Sequence, residues 1–291
     1  MPDFQTIGVI TKQSGPQLAD TLQALLDLLA SRGLRVLLDE STTPLLGKGA
    51  GETFSREVLA READLAIVVG GDGTLLNAGR TLADSGVPVL GINLGRLGFL
   101  VDVSPEEMSS RLAEILDGHY VEAPRFLLEA EVWRDEACIG QSLALNDVVV
   151  HVREVVRMIE FDTFIDGQFV NTQRADGMVV STPTGSTAYA LSGGGPILHP
   201  GLDAIVLVPV CPHTLSHRPI VVQGDSHIEV RICAHNKDPA QVSFDGQAGM
   251  DLEPRDRIVI RRKQGPLRLL HPRGYDYFHI LRAKLRWGEQ P

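Results

Sequence analysis

Over the first 120 residues, short apolar runs alternate with stretches of helical spacing; from Arg125 onward, apolar runs follow one another at short intervals instead. That change of grammar limits the folds open to the chain. TIGVI (6–10), the amphipathic LADTLQALLDLLASRG after Gly15-Pro16, LRVLLD, LAIVV, a helix from about Thr74 to Ala83, VPVLGI, and a helix opened by Ser104-Pro105-Glu106-Glu107 alternate as in an open parallel sheet with helices on its faces. Gly33 stands where the first helix needs a C-terminal cap. Residues 41–53, STTPLLGKGAGET, are turn formers without periodicity and read as a mobile loop.

In the second part FLLEAEVW, SLALNDVVVHV, VVRMIEFDTFI, QFVNTQ and GMVVST read as strands, with Asp166-Gly167 a hairpin signal between two of them. Further strands are expected at 205–210, 219–223, 227–233, 257–262 and 267–271. At 291 residues two domains are the better division. The expected fold is an α/β N-terminal domain over 1–124 with a parallel-type sheet, followed by a β-rich domain over 125–275. The last stretch, 276–291, has helix-like spacing at Phe278, Leu281 and Leu285 and is expected to return to the first domain.

Charge and composition exclude several functions. Lys plus Arg total 27 against 37 Asp plus Glu, a formal charge of −10, and no basic stretch is interleaved with aromatics, so no nucleic-acid partner is expected. No run approaches 18 apolar residues, and the N-terminus lacks a basic region followed by an apolar one, so neither membrane association nor export is expected. Cys138, Cys211 and Cys233 have no CxxC pairing, which points to reduced thiols in a cytoplasmic protein without a zinc site or disulfide framework.

Three segments carry candidate chemistry. In LAIVVGGDGTLLN (65–77) an apolar run ends on Gly70-Gly71, places Asp72, and restarts after Gly73-Thr74, where the crevice of an open α/β sheet binds ligands. The glycines and the helix start suit an anion, whereas the acid does not; taken alone, Asp72 is a helix cap. In RADGMVVSTPTGSTAYALSGGGPILHP (174–200) the hydroxyls of Thr182, Thr184, Ser186, Thr187 and Ser192 can donate to phosphate or ribose oxygens, and Tyr189 offers a ring or hydroxyl to a base; the alternative is an ordinary Ser/Thr-rich cap. Asn146-Asp147 interrupts LALNDVVV with donors and acceptors suited to sugar hydroxyls or a base edge, or with a turn. Asp245 and Gln247 in VSFDGQAG sit on a hairpin whose plainest reading is a turn. Neither GxxxxGK[ST] nor GxGxxG occurs.

Together the segments resemble the bacterial NAD kinases over nearly the whole chain: GGDGT at 70–74, INLGRLGFL at 92–100, LNDVVV at 145–150, DGMVVSTPTGSTAYALSGGGPILHP at 176–200, PHTLSHRP at 212–219 and FDGQ at 244–247. The resemblance implies that Asp72 accepts the proton of the adenosine ribose 2′-hydroxyl of NAD, with Gly73 beside it in the nucleotide site. It implies that Asn146 and Asp147 bind the dinucleotide, that Arg157 and Arg174 lie near it, and that Asp176 is the acid beside the substrate. It also implies that Thr187, Ala188, Tyr189, Ala190, Leu191 and Ser192 wrap the dinucleotide and that Gln247 adds a further contact. Where the family pair is often Asn-Glu, this chain has the shorter Asp147. The fold implied is an α/β domain plus a sandwich-like β domain with the site between them, in a homo-oligomer, tetramer or dimer.

The reaction implied is transfer of a phosphoryl group from ATP to NAD, giving NADP. A secondary alcohol needs a base, worth ~10²- to 10⁴-fold, and a divalent ion, Mg²⁺, held by the ATP phosphates and water without a protein cage. Two rivals remain at the level of sequence. A lipid or sugar kinase of the same superfamily shares GGDGT-like loops but not STPTGSTAY, and a non-catalytic NADP(H)-binding regulator would keep the pocket without turnover.

Overall fold

The computed structural model describes residues 4–12, 14, 17–45, 52–153, 157–214 and 216–287. Gly15-Pro16, residues 46–51 of the expected loop, Val155-Val156 and Leu215 lie outside them. The chain forms two compact units, one made of Met1–Pro124 with Leu267–Pro291 and one of Arg125–Pro266.

The first unit is built on a seven-stranded sheet in the order Thr53–Phe54, Arg35–Asp39, Thr6–Thr11, Leu65–Val69, Val89–Ile92, Leu267–Pro272, Tyr120–Arg125. The first six run parallel. Leu65–Val69 is buried at every position, as an inner strand covered on both faces must be. The helix Leu18–Ser31 buries Leu18, Leu22, Leu25 and Leu29, one stripe at 3.6-residue spacing. It ends as its glycine requires: Gly33 has φ 70°, and the N–H groups of Gly33 and Leu34 donate to Ala30 O at 2.9 Å and Leu29 O at 3.2 Å. The helix foreseen at Ser104 starts later, at Met108, and runs to Leu116, because Ser104 Oγ takes the Glu107 N–H in a turn ahead of it. Part of the stretch expected to be a loop is ordered, as a 3₁₀ helix over Glu40–Leu45 and the short strand Thr53–Phe54.

The strand at 267–272 corrects an expectation. Sequence grouped it with the β-rich part, whereas it lies in the first unit, parallel to Val89–Ile92. An apolar run announces a strand, but the partner it pairs with lies about 180 residues away and leaves no local trace.

The second unit stacks two six-stranded antiparallel sheets around one apolar core. One has the order Gln168–Ala175, Ile159–Ile165, Ile228–Ile232, Arg257–Arg262, Leu128–Arg134, Ala137–Ala144. The other runs Ile220–Gln223, Ala204–Val210, Gly177–Ser181, Asp147–Val152, Ala240–Phe244, Ala248–Leu252. Asp166 and Gly167 take φ 50° and 75°, the two positive values of a tight hairpin. SLALNDVVVHV is two strands rather than one. Ala137–Ala144 belongs to the first of these sheets and Asp147–Val152 to the second, so Leu145-Asn146 is where the chain crosses between them.

Candidate functional site

In the first unit, the turn after Leu65–Val69 places Gly71 at the cap position and Asp72 as the first residue of the helix Asp72–Leu82, with no side-chain capping bond. The Asp72 carboxylate reaches sideways to another loop. Oδ2 accepts the Phe99 N–H at 2.9 Å, and Oδ1 accepts those of Leu100 at 2.9 Å and Val101 at 3.3 Å. A carboxylate has about four acceptor positions, so room remains on Oδ2 for one further donor. The cradle depends on glycine at two points. A Cβ at Gly98 would lie 2.2 Å from Asp72 Oδ1, and one at Gly70 would lie 2.5 Å from Thr74 Oγ1. Asp72 is half-buried, while Gly71 and Gly73 are exposed beside it at the positive end of the helix dipole. The site therefore presents a fixed carboxylate next to backbone that favours an anion.

In the second unit, Asp245 organises the Asn146-Asp147 crossing. Its carboxylate accepts the N–H groups of Leu145, Asn146 and Asp147 at 3.1, 2.7 and 3.2 Å. Its own N–H donates to Asp147 O at 2.9 Å. The Ser/Thr-rich segment closes over the same backbone: Thr182 N–H and Ser181 Oγ donate to Asn146 O, and Thr182 Oγ1 donates to Leu145 O at 2.7 Å. A Cβ on Gly185 would meet Asn146 O at 2.2 Å. A cleft of about 290 Å³ results, lined by Asn146, Asp147, His151, Tyr189, Ser243 and Asp245 among others. Burial first and the Asp245 charge second push the Asp147 carboxyl up to about 7, against a lowering by the Tyr189 N–H that donates to it. Asp147 is thus poised between donor and acceptor forms near neutral pH. Since burial is the larger cause, Asp245→Asn is expected to bring the Asp147 titration down only part of the way, as read by carboxyl-carbon NMR; a full return to the ordinary range would show that Asp245 dominates.

The expected site residues separate into groups. Asn146, Asp147, Ala188 and Tyr189 share this cleft. Arg157, Arg174 and Asp176 line a second, about 720 Å³, with Met158, Cys211, His213 and Asp238, and Arg157 is held by Asp238 at 2.7 Å. The first cleft follows one strand from Asp147 to His151, and Asp176 of the second directly precedes Gly177, which pairs with His151. Thr187 is half-buried, Ala190 sits in an apolar cluster, Leu191 is half-buried, and Ser192 and Gln247 are exposed. Two of the hydroxyls offered for ligands are spent on the fold. Thr182 and Ser186 are fully buried, and Ser186 Oγ donates to Pro183 O at 2.7 Å while accepting the Leu198 N–H at 2.9 Å. His151 was missed, although period-2 spacing from Asp147 puts it on the same strand face. Asp245 was read as a turn; its φ of 51° is indeed a turn value, and its side chain does the further work.

The first unit thus offers an acid fixed on a glycine-flanked strand-to-helix turn, and the second a cleft lined by acidic and aromatic side chains. Residues 7–120 match the ATP-NAD kinase N-terminal domain and residues 145–271 the ATP-NAD kinase C-terminal domain. The chain is 52% identical over 287 residues to the NAD kinase of Nitrosococcus oceani, covering 99% of this chain and 98% of that one. It is 50% identical over 290 residues to an NAD kinase of Pseudomonas putida, covering 100% and 98%. Among solved structures it resembles yeast NADH kinase complexed with NADH, with a TM-score of 0.90, 26% identity and 99% and 89% coverage. It also resembles an NAD kinase from Archaeoglobus fulgidus in complex with ATP, with a TM-score of 0.75, 27% identity and 97% and 98% coverage. The chain belongs to the ATP-NAD kinase family, and its activity is phosphorylation of NAD with ATP.

Proposed function

We propose that Asp72 takes the proton of the adenosine ribose 2′-hydroxyl of NAD as that oxygen attacks the terminal phosphorus of ATP, giving NADP and ADP. The observation that carries this reading is the Asp72 carboxylate itself, oriented by three backbone donors with one acceptor position left over. Gly73, exposed next to it, lets the nucleotide approach the backbone. Asn146 and Asp147 bind the dinucleotide through sugar hydroxyls or a base edge, and Tyr189, 45% exposed, presents its ring to a base. Thr187, Ala188, Ala190, Leu191 and Ser192 shape the turn that carries Tyr189, and Gln247 adds a contact from the hairpin. In the second cleft, Arg157 and Arg174 supply positive charge for phosphates and Asp176 the acid.

Among the described residues no group of three or more His, Cys, Asp or Glu is placed to hold a metal ion. An Mg²⁺ ion carried by the ATP phosphates and water would neutralise charge on the transferred group. Self-association is proposed as well, as a dimer or tetramer. Ile139, Phe169 and Val221 are exposed on Ala137–Ala144, Gln168–Ala175 and Ile220–Gln223, edge strands of the second unit, where unpaired backbone and apolar side chains invite a partner. The three free cysteines suit a reducing cytoplasm.

Purified protein given NAD, ATP and Mg²⁺ is expected to produce NADP, followed with an NADP-specific dehydrogenase, and a chelator is expected to stop turnover until Mg²⁺ is restored. Absence of NADP under these conditions would overturn the assignment. A monomer by light scattering at micromolar concentration would remove the oligomer.

A further inference from the structure

The C-terminal segment of the first unit grips the loop that cradles Asp72 at two points. Asp102 directly follows Val101, the last of the three residues whose N–H groups hold the Asp72 carboxylate. Asp102 Oδ2 lies 2.9 Å from Nδ1 of His271, on the strand Leu267–Pro272. An ionised carboxylate only accepts, so Nδ1 is the donor. The imidazole is fully buried and stacks on Tyr275, with centroids 3.7 Å apart and planes 16° apart. At the other end of the loop, Lys284 Nζ on the helix Tyr277–Leu285 donates to Leu97 O at 3.0 Å and stands 5.6 Å from the Phe99 ring centre.

The His271–Asp102 pair is an expensive way to tie a loop down. Asp102 Oδ1 and His271 Nε2 are both buried without a hydrogen-bond partner among the described residues, and a half-satisfied buried polar pair is a poor stabiliser compared with apolar packing. What the pair does provide is a directional anchor on the residue next to the cradle. The loop itself is short and internally braced, with Gly98 N–H donating to Val101 O at 3.0 Å and Asn93 N–H to Val103 O at 2.8 Å, so an anchor at Asp102 is transmitted to Phe99–Val101.

We infer that His271 is a positioning residue for phosphoryl transfer: by holding Asp102 it fixes the Phe99–Val101 backbone and, through it, the carboxylate of Asp72. The inference rests on the reading of Asp72 as the base. Misplacing a catalytic group by 1 Å can cost ~10²-fold, and loss of one anchor moves it less. His271→Phe keeps the ring and its stacking on Tyr275 but loses the donor, and is expected to lower kcat about 10-fold with the KM values for NAD and ATP within about twofold. His271→Asn, whose amide N–H can stand near Nδ1, is expected to recover most of that loss. Lys284→Met, an exposed change that keeps the stem, tests the second grip and is expected to lower kcat about 3-fold.

Each change is repeated with Asp72→Asn. If these residues act through Asp72, they cost no more than about twofold further in that background. Equal losses in both backgrounds, a change confined to KM, or no recovery with His271→Asn would each overturn the positioning role while leaving the base assignment standing. A near-wild-type rate for Asp72→Asn alone would instead remove the base, and the inference with it. Should His271→Phe fail to fold, Asp102→Asn, which keeps the shape of His271's partner but removes its charge, takes its place in the two backgrounds.

Discussion

Asp72→Asn is expected to lower kcat for NAD phosphorylation by at least about 10²-fold, the lower end of what a positioned base contributes. The change is close to isosteric, and the amide oxygen can still accept the Leu100 and Val101 N–H groups now bound to Oδ1. Only the Phe99 N–H loses its acceptor; that residue is half-buried, so water can replace the bond and the structural cost should be about 1 kcal/mol. Folding, thermal midpoint and NAD binding by calorimetry are therefore expected to change little while turnover collapses. An amide cannot take the hydroxyl proton, and that difference is what the experiment isolates. A variant that turns over at near the wild-type rate would strip Asp72 of the role.

The second large effect concerns stability. The Asp147 carboxyl titrates at about 7 in the folded protein against an ordinary 3.8, so between those values the folded state binds more protons than the unfolded one. Stability from this group is then full below about pH 4, falls as pH rises, and is lost above about 7. The gap corresponds to roughly 4 kcal/mol at most. Asp147→Asn removes the ionisation, so the variant is expected to gain on the wild type as pH rises from 5 to 8 in urea unfolding without nucleotide. At the same time KM for NAD is expected to rise, because the lost acid lines the cleft proposed to hold the dinucleotide. Stability given up where a ligand binds is a common trade. Identical pH slopes for the two proteins would show that the Asp147 carboxyl is not strained in the fold.

Much of the fold was legible because its signals are local. The periodicity of Leu18–Ser31, the continuous burial of Leu65–Val69 and the Asp166-Gly167 turn each follow from a few adjacent residues. What escaped was non-local. Nothing in RLLHP says that it lies beside Val89–Ile92, and nothing in LALNDVVV says that its two halves belong to different sheets. The candidate site was legible as residue types and less so as roles. Gly70, read as suited to an anion, also makes a close approach to Thr74; Gly98, which packs against Asp72, was not singled out; and hydroxyls at Thr182 and Ser186 turned out to brace backbone. The acid taken for a turn former, Asp245, ties three N–H groups together because its carboxylate lies across a sheet crossing nearly 100 residues away.

The placement of Leu267–Pro272 inside the first sheet also dictates a timetable for the newborn chain. Val89–Ile92 waits for its neighbour until residues 93–266 have been translated, roughly 9 to 35 s at about 5–20 residues per second. Through that interval an apolar strand has an open edge, the kind of surface that captures another chain. The early half thus carries an unpaired strand edge until the chain is almost complete. A ribosome stalled between Asp72 and Leu267 would release a product that contains Asp72 but not the strand that completes its sheet.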